Sequence, residues 1–203
     1  MDKWDARYRT SAMAWSAEPN AVFAEIVRGL PPGSALDVAC GEGRHALWLA
    51  ERGWQVTAVD FSAVGLDKAQ QWAAQRGQTV DWLQRDVTQS MSDLGVFDLV
   101  AVIFLHTDPQ SREAWFAEVR HCVAPGGLLV YIGHDPSNID RGSGGPQRLE
   151  VLPGAADVVG YLPGFDILKA QTLERPVAAE SGHHHDQQGR ALDTVVVAQR
   201  AAD

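Results

Sequence analysis

The sequence is short of cysteine, of long apolar runs and of clustered basic residues, and each shortage removes a class of protein. Two cysteines in 203 residues, Cys40 and Cys122, are too few for a disulfide framework. Each adjoins an apolar run and reads as a reduced, buried thiol. No apolar stretch approaches the roughly 20 residues that cross a bilayer, and the N-terminus MDKWDARYRT lacks the apolar centre of a signal peptide. A cytoplasmic protein is therefore expected. Lys and Arg total 17 against 26 Asp and Glu, a formal charge of −9, and no basic run is present to neutralise phosphates. Nucleic acids and anionic membranes are not expected as partners, and a small molecule is. Monomer and homodimer both stay open.

What is present is an alternation of strand-length apolar runs with helix-length amphipathic stretches, the mark of a parallel sheet with crossover helices. Ala35 to Ala39 is the first strong strand. A helix from about Gly43 to Arg52 follows and stops at Gly53. Gln55 to Val59 is the second strand, and Ser62 caps a helix ending near Gly77. Val80 to Gln84 is a weaker third strand. Phe97 to Phe104 (FDLVAVIF) is apolar throughout, as for a central strand covered on both faces. Pro109 opens the next helix, Pro125-Gly126-Gly127 reads as a turn, and Leu128 to Ile132 is the fifth strand. Residues 135–150 look like a functional loop. Phe165 to Leu173 and Leu192 to Gln199 are two last strands with no room between them for a crossover helix, which makes them an antiparallel hairpin. Before the sheet, residues 2–9 and 19–30 suggest two short helices, with Pro19 in the first turn of the second.

Chemistry concentrates at the join of the first strand and its helix, Asp37-Val38-Ala39-Cys40-Gly41-Glu42-Gly43. A glycine turn opening a helix presents backbone N–H groups and a positive dipole end to a ligand, and the glycines let the backbone approach closely. Dinucleotide and adenosylmethionine sites share this much. Asp37, four residues before Gly41, suits a cation such as a sulfonium and would repel a pyrophosphate. Ala46 occupies the third glycine position of Gly-x-Gly-x-x-Gly. Asp60 ends the second strand 17 residues after Gly43, where a carboxylate can accept both ribose hydroxyls. Asp86 follows the third strand within reach of an adenine amino group.

The run LDVACGEGRHALWLAERGWQVTAVDFS resembles motif I and the following acidic position of class I S-adenosylmethionine-dependent methyltransferases. Ala39 stands where that family often has its first glycine. Asp86-Val87, Phe97-Asp98-Leu99-Val100 and Pro125-Gly126-Gly127 resemble its later motifs, so the likeness covers residues 35–132. The aromatic-rich start Trp4-Asp5-Ala6-Arg7-Tyr8 is similar to small bacterial members of the tellurite-resistance and thiopurine type. The resemblance implies an α/β fold, a three-layer Rossmann-like sandwich. Its seven-stranded, mostly parallel sheet would have the order 3-2-1-4-5-7-6, with strand 7 antiparallel. One domain over 1–203 is expected, with 1–30 as a helical lid and 34–203 as the core. The cofactor would be S-adenosyl-L-methionine, leaving as S-adenosyl-L-homocysteine. The residues implied for it are Tyr8, Asp37, Ala39, Gly41, Gly43, Arg44, Asp60, Phe61, Asp86, Val87 and Ile103.

Ligands of open α/β sheets bind outside the carboxyl ends of the strands, which selects His106 after the fourth strand and His134 and Asp135 after the fifth. Trp15, between the two N-terminal helices, is a candidate roof for the acceptor pocket. Trp15, His106, His134 and Asp135 are the substrate-side candidates. His106 and His134 are the catalytic candidates, because an acceptor that must lose a proton needs a base titrating near neutrality. His183-His184-His185 reads as solvated loop or as a wall of the substrate site ahead of a metal tract, since structural zinc prefers spaced ligands, and no metal is expected. Asn/Asp-Pro-Pro-Tyr/Phe, the signature of amino-methylating DNA enzymes, is replaced by Phe104-Leu105-His106-Thr107-Asp108-Pro109. Neither cysteine adjoins a proline, as cytosine C5 enzymes require. The alternatives are a nicotinamide-dependent oxidoreductase and a cofactor-binding module without catalysis.

Overall fold

Alternate residues of the central strand face opposite ways, and that alternation builds the whole molecule. The structure, a computed structural model, describes residues 2–10, 17–177 and 189–202. In β4 (Phe97–Ile103), Leu99, Ala101 and Ile103 enter one core with Phe23, Trp48, Trp54 and Leu66. Val100 and Val102 enter a second core with Trp115, Phe116, Val119 and Tyr131. Both faces of the sheet are therefore covered, as its near-continuous apolar strands require.

The strands are β1 (Ser34–Val38), β2 (Gln55–Asp60), β3 (Asp81–Gln84), β4, β5 (Val123–His134), β6 (Phe165–Val177) and β7 (Gly189–Arg200). Their order is β3-β2-β1-β4-β5-β7-β6. β1 to β5 pair in parallel, whereas β7 runs antiparallel to both β5 and β6. The three-layer α/β architecture and the reversed seventh strand are those the sequence led us to expect. The helices are α1 (Asp2–Thr10), α2 (Ala21–Val27), α3 (Arg44–Ala50), α4 (Ala63–Gln75), α5 (Pro109–His121), α6 (Asn138–Arg141) and α7 (Ala155–Gly160). Ser62 caps α4 by accepting from the Gly65 N–H at 3.1 Å. Asp108 caps α5 ahead of Pro109.

Three local expectations change. Pro125-Gly126-Gly127 is no turn but an irregularity inside β5, where the register with β4 shifts between Phe97 and Leu99 and Gly126 takes φ +75°. A Cβ on Gly127 would lie 2.9 Å from the carbonyl oxygens of Ala124 and Phe97, so the two strands close up there only around glycine. Pro19 lies before α2 rather than in its first turn. Asn20 caps that helix, its side chain accepting from the N–H groups of Val22 and Phe23, which satisfies two donors that proline could not. The last two strands are longer than their apolar centres suggested, because the exposed edge strand β6 pairs with β7 all along its polar length. Among the described residues no helix is long and apolar enough to cross a membrane.

Candidate active site

Three residues of the join between β1 and α3 take left-handed backbone: Ala39 (φ +58°), Gly41 (+58°) and Gly43 (+78°). The turn is closed by Gly43 N–H donating to the Cys40 carbonyl at 2.9 Å, and tied to β2 by Cys40 N–H donating to Val59 at 3.0 Å. A Cβ on Gly41 would fall 2.8 Å from the Tyr8 hydroxyl, and one on Gly43 would fall 2.5 Å from the Trp82 ring. The loop is therefore bare backbone held close under Tyr8 and Trp82, an approach that only glycine permits.

Two buried carboxylates flank that cradle. Asp37 accepts from the Ala46 N–H at 3.1 Å. Burial, only partly offset by this bond and by the charge of Arg44, pushes its pKa up to about 7. Asp60 accepts from Gly41 N–H through one oxygen and from Ser62 N–H through the other, both at 2.8 Å. Burial raises its pKa too, against those two bonds. A buried acid held partly protonated gains from a nearby cation, and a second negative ligand would cost it more. This donor set, glycine backbone between two acids, fits a cationic adenosyl group and disfavours a pyrophosphate.

The other cofactor-side candidates lie around the same edge. Phe61 is half-buried directly after Asp60, and Arg44 opens α3. Asp86 is exposed and turns its carboxylate to Thr88, while Val87 beside it is buried. Ile103 ends β4, buried. Tyr8 is buried on α1, a helix docked against α4 through the Asp5 carboxylate, which accepts from the Ser62 hydroxyl.

A second cluster forms where β4, β5, β6 and β7 end. His106 Nε2 accepts from the His134 backbone N–H at 3.1 Å, and the two rings stack at 5.4 Å and 7°. Phe104, in left-handed backbone at φ +59°, packs on the His134 ring at 5.0 Å. Burial, helped by the charge of His134, brings the His106 pKa down to about 4. His106 is thus neutral, with its Nε2 lone pair already used. His134 Nδ1 lies 3.1 Å from Asp193 Oδ1, and Arg175 Nε donates to the other Asp193 oxygen at 2.7 Å. Burial alone would raise the Asp193 pKa, but these partners outweigh it and hold the carboxyl below its ordinary range. Asp135 faces away, accepting from the hydroxyls of Ser137, Thr172 and Thr194 and from the Ser137 N–H. Its acceptor capacity ties β5 to β6 and β7.

Trp15 and His183-His184-His185 lie outside the described residues. Sequence reasoning passed over Asp193, Arg175 and Asn138. Asn138 accepts from Leu192 N–H at 2.7 Å and donates to the Gly144 carbonyl at 3.0 Å, pinning the 138–145 loop to β7. The available signal was Asp193 itself, an acid set in the otherwise apolar run LDTVVVA.

The chain is similar to known methyltransferases. Residues 35–127 match a family described as a methyltransferase domain. YqeM of Bacillus subtilis, a candidate methyltransferase by its name, is 33% identical over 112 residues, 53% of this chain and 44% of that protein. The chain thus spans under half of that relative. The 2-heptyl-1-hydroxyquinolin-4(1H)-one methyltransferase of Mycobacteroides abscessus is 26% identical over 164 residues, covering 72% of this chain and 70% of that protein. TehB from Haemophilus influenzae superposes with a TM-score of 0.72 at 15% identity, covering 98% of this chain and 66% of that one. Fold and match agree on a class: residues 35–127 match the methyltransferase-domain family, and they lie on a Rossmann-like sheet of order β3-β2-β1-β4-β5-β7-β6.

Proposed function

We propose that the chain transfers a methyl group from S-adenosylmethionine to a small-molecule acceptor. The observation that carries this reading is the left-handed Gly41–Gly43 cradle set between the buried carboxylates of Asp37 and Asp60. Asp37, which a cation in the cradle would ionise, then sets a negative field behind the loop. Asp60 takes the ribose hydroxyls on the lone pairs its two backbone bonds leave free, with Phe61 beside it. Asp86 and Val87 receive the adenine. Ala39, Arg44 and Ile103 line the remainder, and α1 closes over the cradle through Tyr8 as a lid. The cofactor supplies a sulfonium methyl with a neutral thioether as its leaving group. The protein's work is then alignment of the acceptor with that methyl, with His106, His134 and Asp135 on the acceptor side.

A formal charge of −9 supports a small molecule over a polyanion, and the quinolone-methylating relative from Mycobacteroides abscessus acts on a small molecule by its name. The test is release of adenosylhomocysteine from adenosylmethionine in a screen of small phenols, thiols and chalcogen oxyanions. Turnover with at least one of them is expected, and turnover confined to nucleic acid or protein would overturn the reading.

A further inference from the structure

The acceptor-side cluster holds more charge than packing requires. Asp193 is fully buried in β7, and a buried carboxylate costs several kcal/mol unless it is paired. Its two oxygens are divided between different partners. One meets the Arg175 guanidinium from β6 and the other meets His134 Nδ1 from β5. His134 Nδ1 and Asp193 Oδ1 are both buried, 3.1 Å apart, and neither has another polar partner among the described residues.

The rest of the surroundings fix the ring rather than use it. Its backbone N–H is taken by His106, and its faces meet His106 and Phe104. Gly145 lies over the ring, where a Cβ would fall 2.4 Å from Cδ2 and 2.8 Å from both Cγ and Nε2. Only a glycine allows the loop to lie there while the ring keeps its 13% exposure. With Nδ1 turned to Asp193, Nε2 is the nitrogen left for a ligand.

We infer that Asp193, itself held by Arg175, is a positioning residue that keeps the Nδ1–H tautomer of His134 and so leaves Nε2 as a base for a hydroxyl or phenolic acceptor. The inference rests on the methyltransferase reading above. In the reaction His134 Nε2 takes the acceptor's O–H proton. The freed oxygen pair forms the bond to the sulfonium methyl carbon, and the carbon–sulfur pair stays on sulfur as the thioether. The imidazolium is balanced by Asp193 until its proton passes to water. A thiolate acceptor would need none of this. The charged and titratable groups that bear on His134 are Asp193 on β7, Arg175 on β6, His106 after β4 and, beyond His106, Arg112 on α5.

The test reads His134 directly, by nitrogen-15 NMR of its ring in the full chain across pH 4–9. Wild type should show the neutral ring protonated on Nδ1. Asp193→Asn should lower its proton affinity at least tenfold and abolish the tautomer preference. Arg175→Gln should shift the midpoint the opposite way, because it leaves Asp193 to His134 alone, and it serves as the second variant if Asp193→Asn does not fold. An unchanged His134 titration in both variants, or an Nε2–H tautomer in wild type, overturns the inference. Adenosylhomocysteine binding to the same samples separates outcomes: its loss would defeat the methyltransferase reading while leaving the NMR result to stand. With paired probe acceptors, catechol turnover should fall about a hundredfold in His134→Gln. Turnover of benzenethiol alone, indifferent to that substitution, would contradict the inference.

Discussion

The two ends of the strand edge are assembled in opposite ways. At β1 and β2 the site is made of backbone: Gly41 and Gly43 in left-handed conformation, with Asp37 and Asp60 fastened to the loop by N–H groups within 24 residues of chain. At β4, β5, β6 and β7 it is made of side chains, His106, His134, Arg175 and Asp193, drawn from strands up to 87 residues apart. A backbone site suits a ligand that never changes, since any substitution of the glycines collides with Tyr8 or Trp82. A side-chain site can be altered one residue at a time without disturbing the sheet. The comparison predicts that perturbing the first end abolishes cofactor binding, whereas perturbing the second spares it.

The largest effect should come from Asp37. Burial raises its pKa from 3.8 to about 7, so the folded state favours the protonated acid. The contribution to stability is full below about pH 4 and is lost as pH rises through about 7, a change on the order of 4 kcal/mol. Urea unfolding between pH 4 and 8 should show wild type losing stability relative to Asp37→Asn over that window. Parallel curves would show that Asp37 is not buried as described.

Asp60→Ala removes the proposed ribose acceptor and also the partner of Gly41 and Ser62 N–H. Charge-assisted hydrogen bonds contribute about 1.5–3 kcal/mol each, so calorimetry should find adenosylhomocysteine binding at least a hundredfold weaker, about 3 kcal/mol. Unchanged affinity would remove Asp60 from the site.

The contrast between the ends also explains what was legible in the sequence. Asp37, Gly41, Gly43 and Asp60 lie in one short stretch whose spacing is dictated by strand, turn and helix geometry, so reading along the chain finds them together. The same holds for the buried run of β4, for the cap at Ser62 and for Pro109 at the start of α5. Asp193 and Arg175 become neighbours of His134 only when β7 inserts between β5 and β6, and no local period records that. Nothing along the chain told His106 from His134 either. Burial and the His134 N–H turn one into a neutral support, and only pairing across three strands gives the other its carboxylate. Pro125-Gly126-Gly127 misled for a related reason, because a bulge and a turn use the same glycines.

Asn138→Ala sharpens the comparison from the acceptor side. It leaves the buried Leu192 N–H without its partner, which costs about 1–3 kcal/mol. Thermal unfolding should report that loss, while adenosylhomocysteine affinity at the far end stays within about twofold, a few tenths of a kcal/mol. A larger change in affinity would mean that the two ends are coupled. The smallest effect is expected at Ala39, a non-glycine in left-handed backbone. Ala39→Gly removes roughly 1 kcal/mol of strain but loosens the unfolded chain by a comparable amount. Melting should shift by only a few degrees, and a loss of several kcal/mol would mean that the Ala39 methyl packs against something essential.

The central claim is that this cradle, set between two acids, takes a cationic adenosyl cofactor and not a dinucleotide. Isothermal titration of the full chain with adenosylhomocysteine and with NADH tests it most directly. The account predicts saturable binding of adenosylhomocysteine and none of NADH, and binding of NADH without adenosylhomocysteine would contradict it.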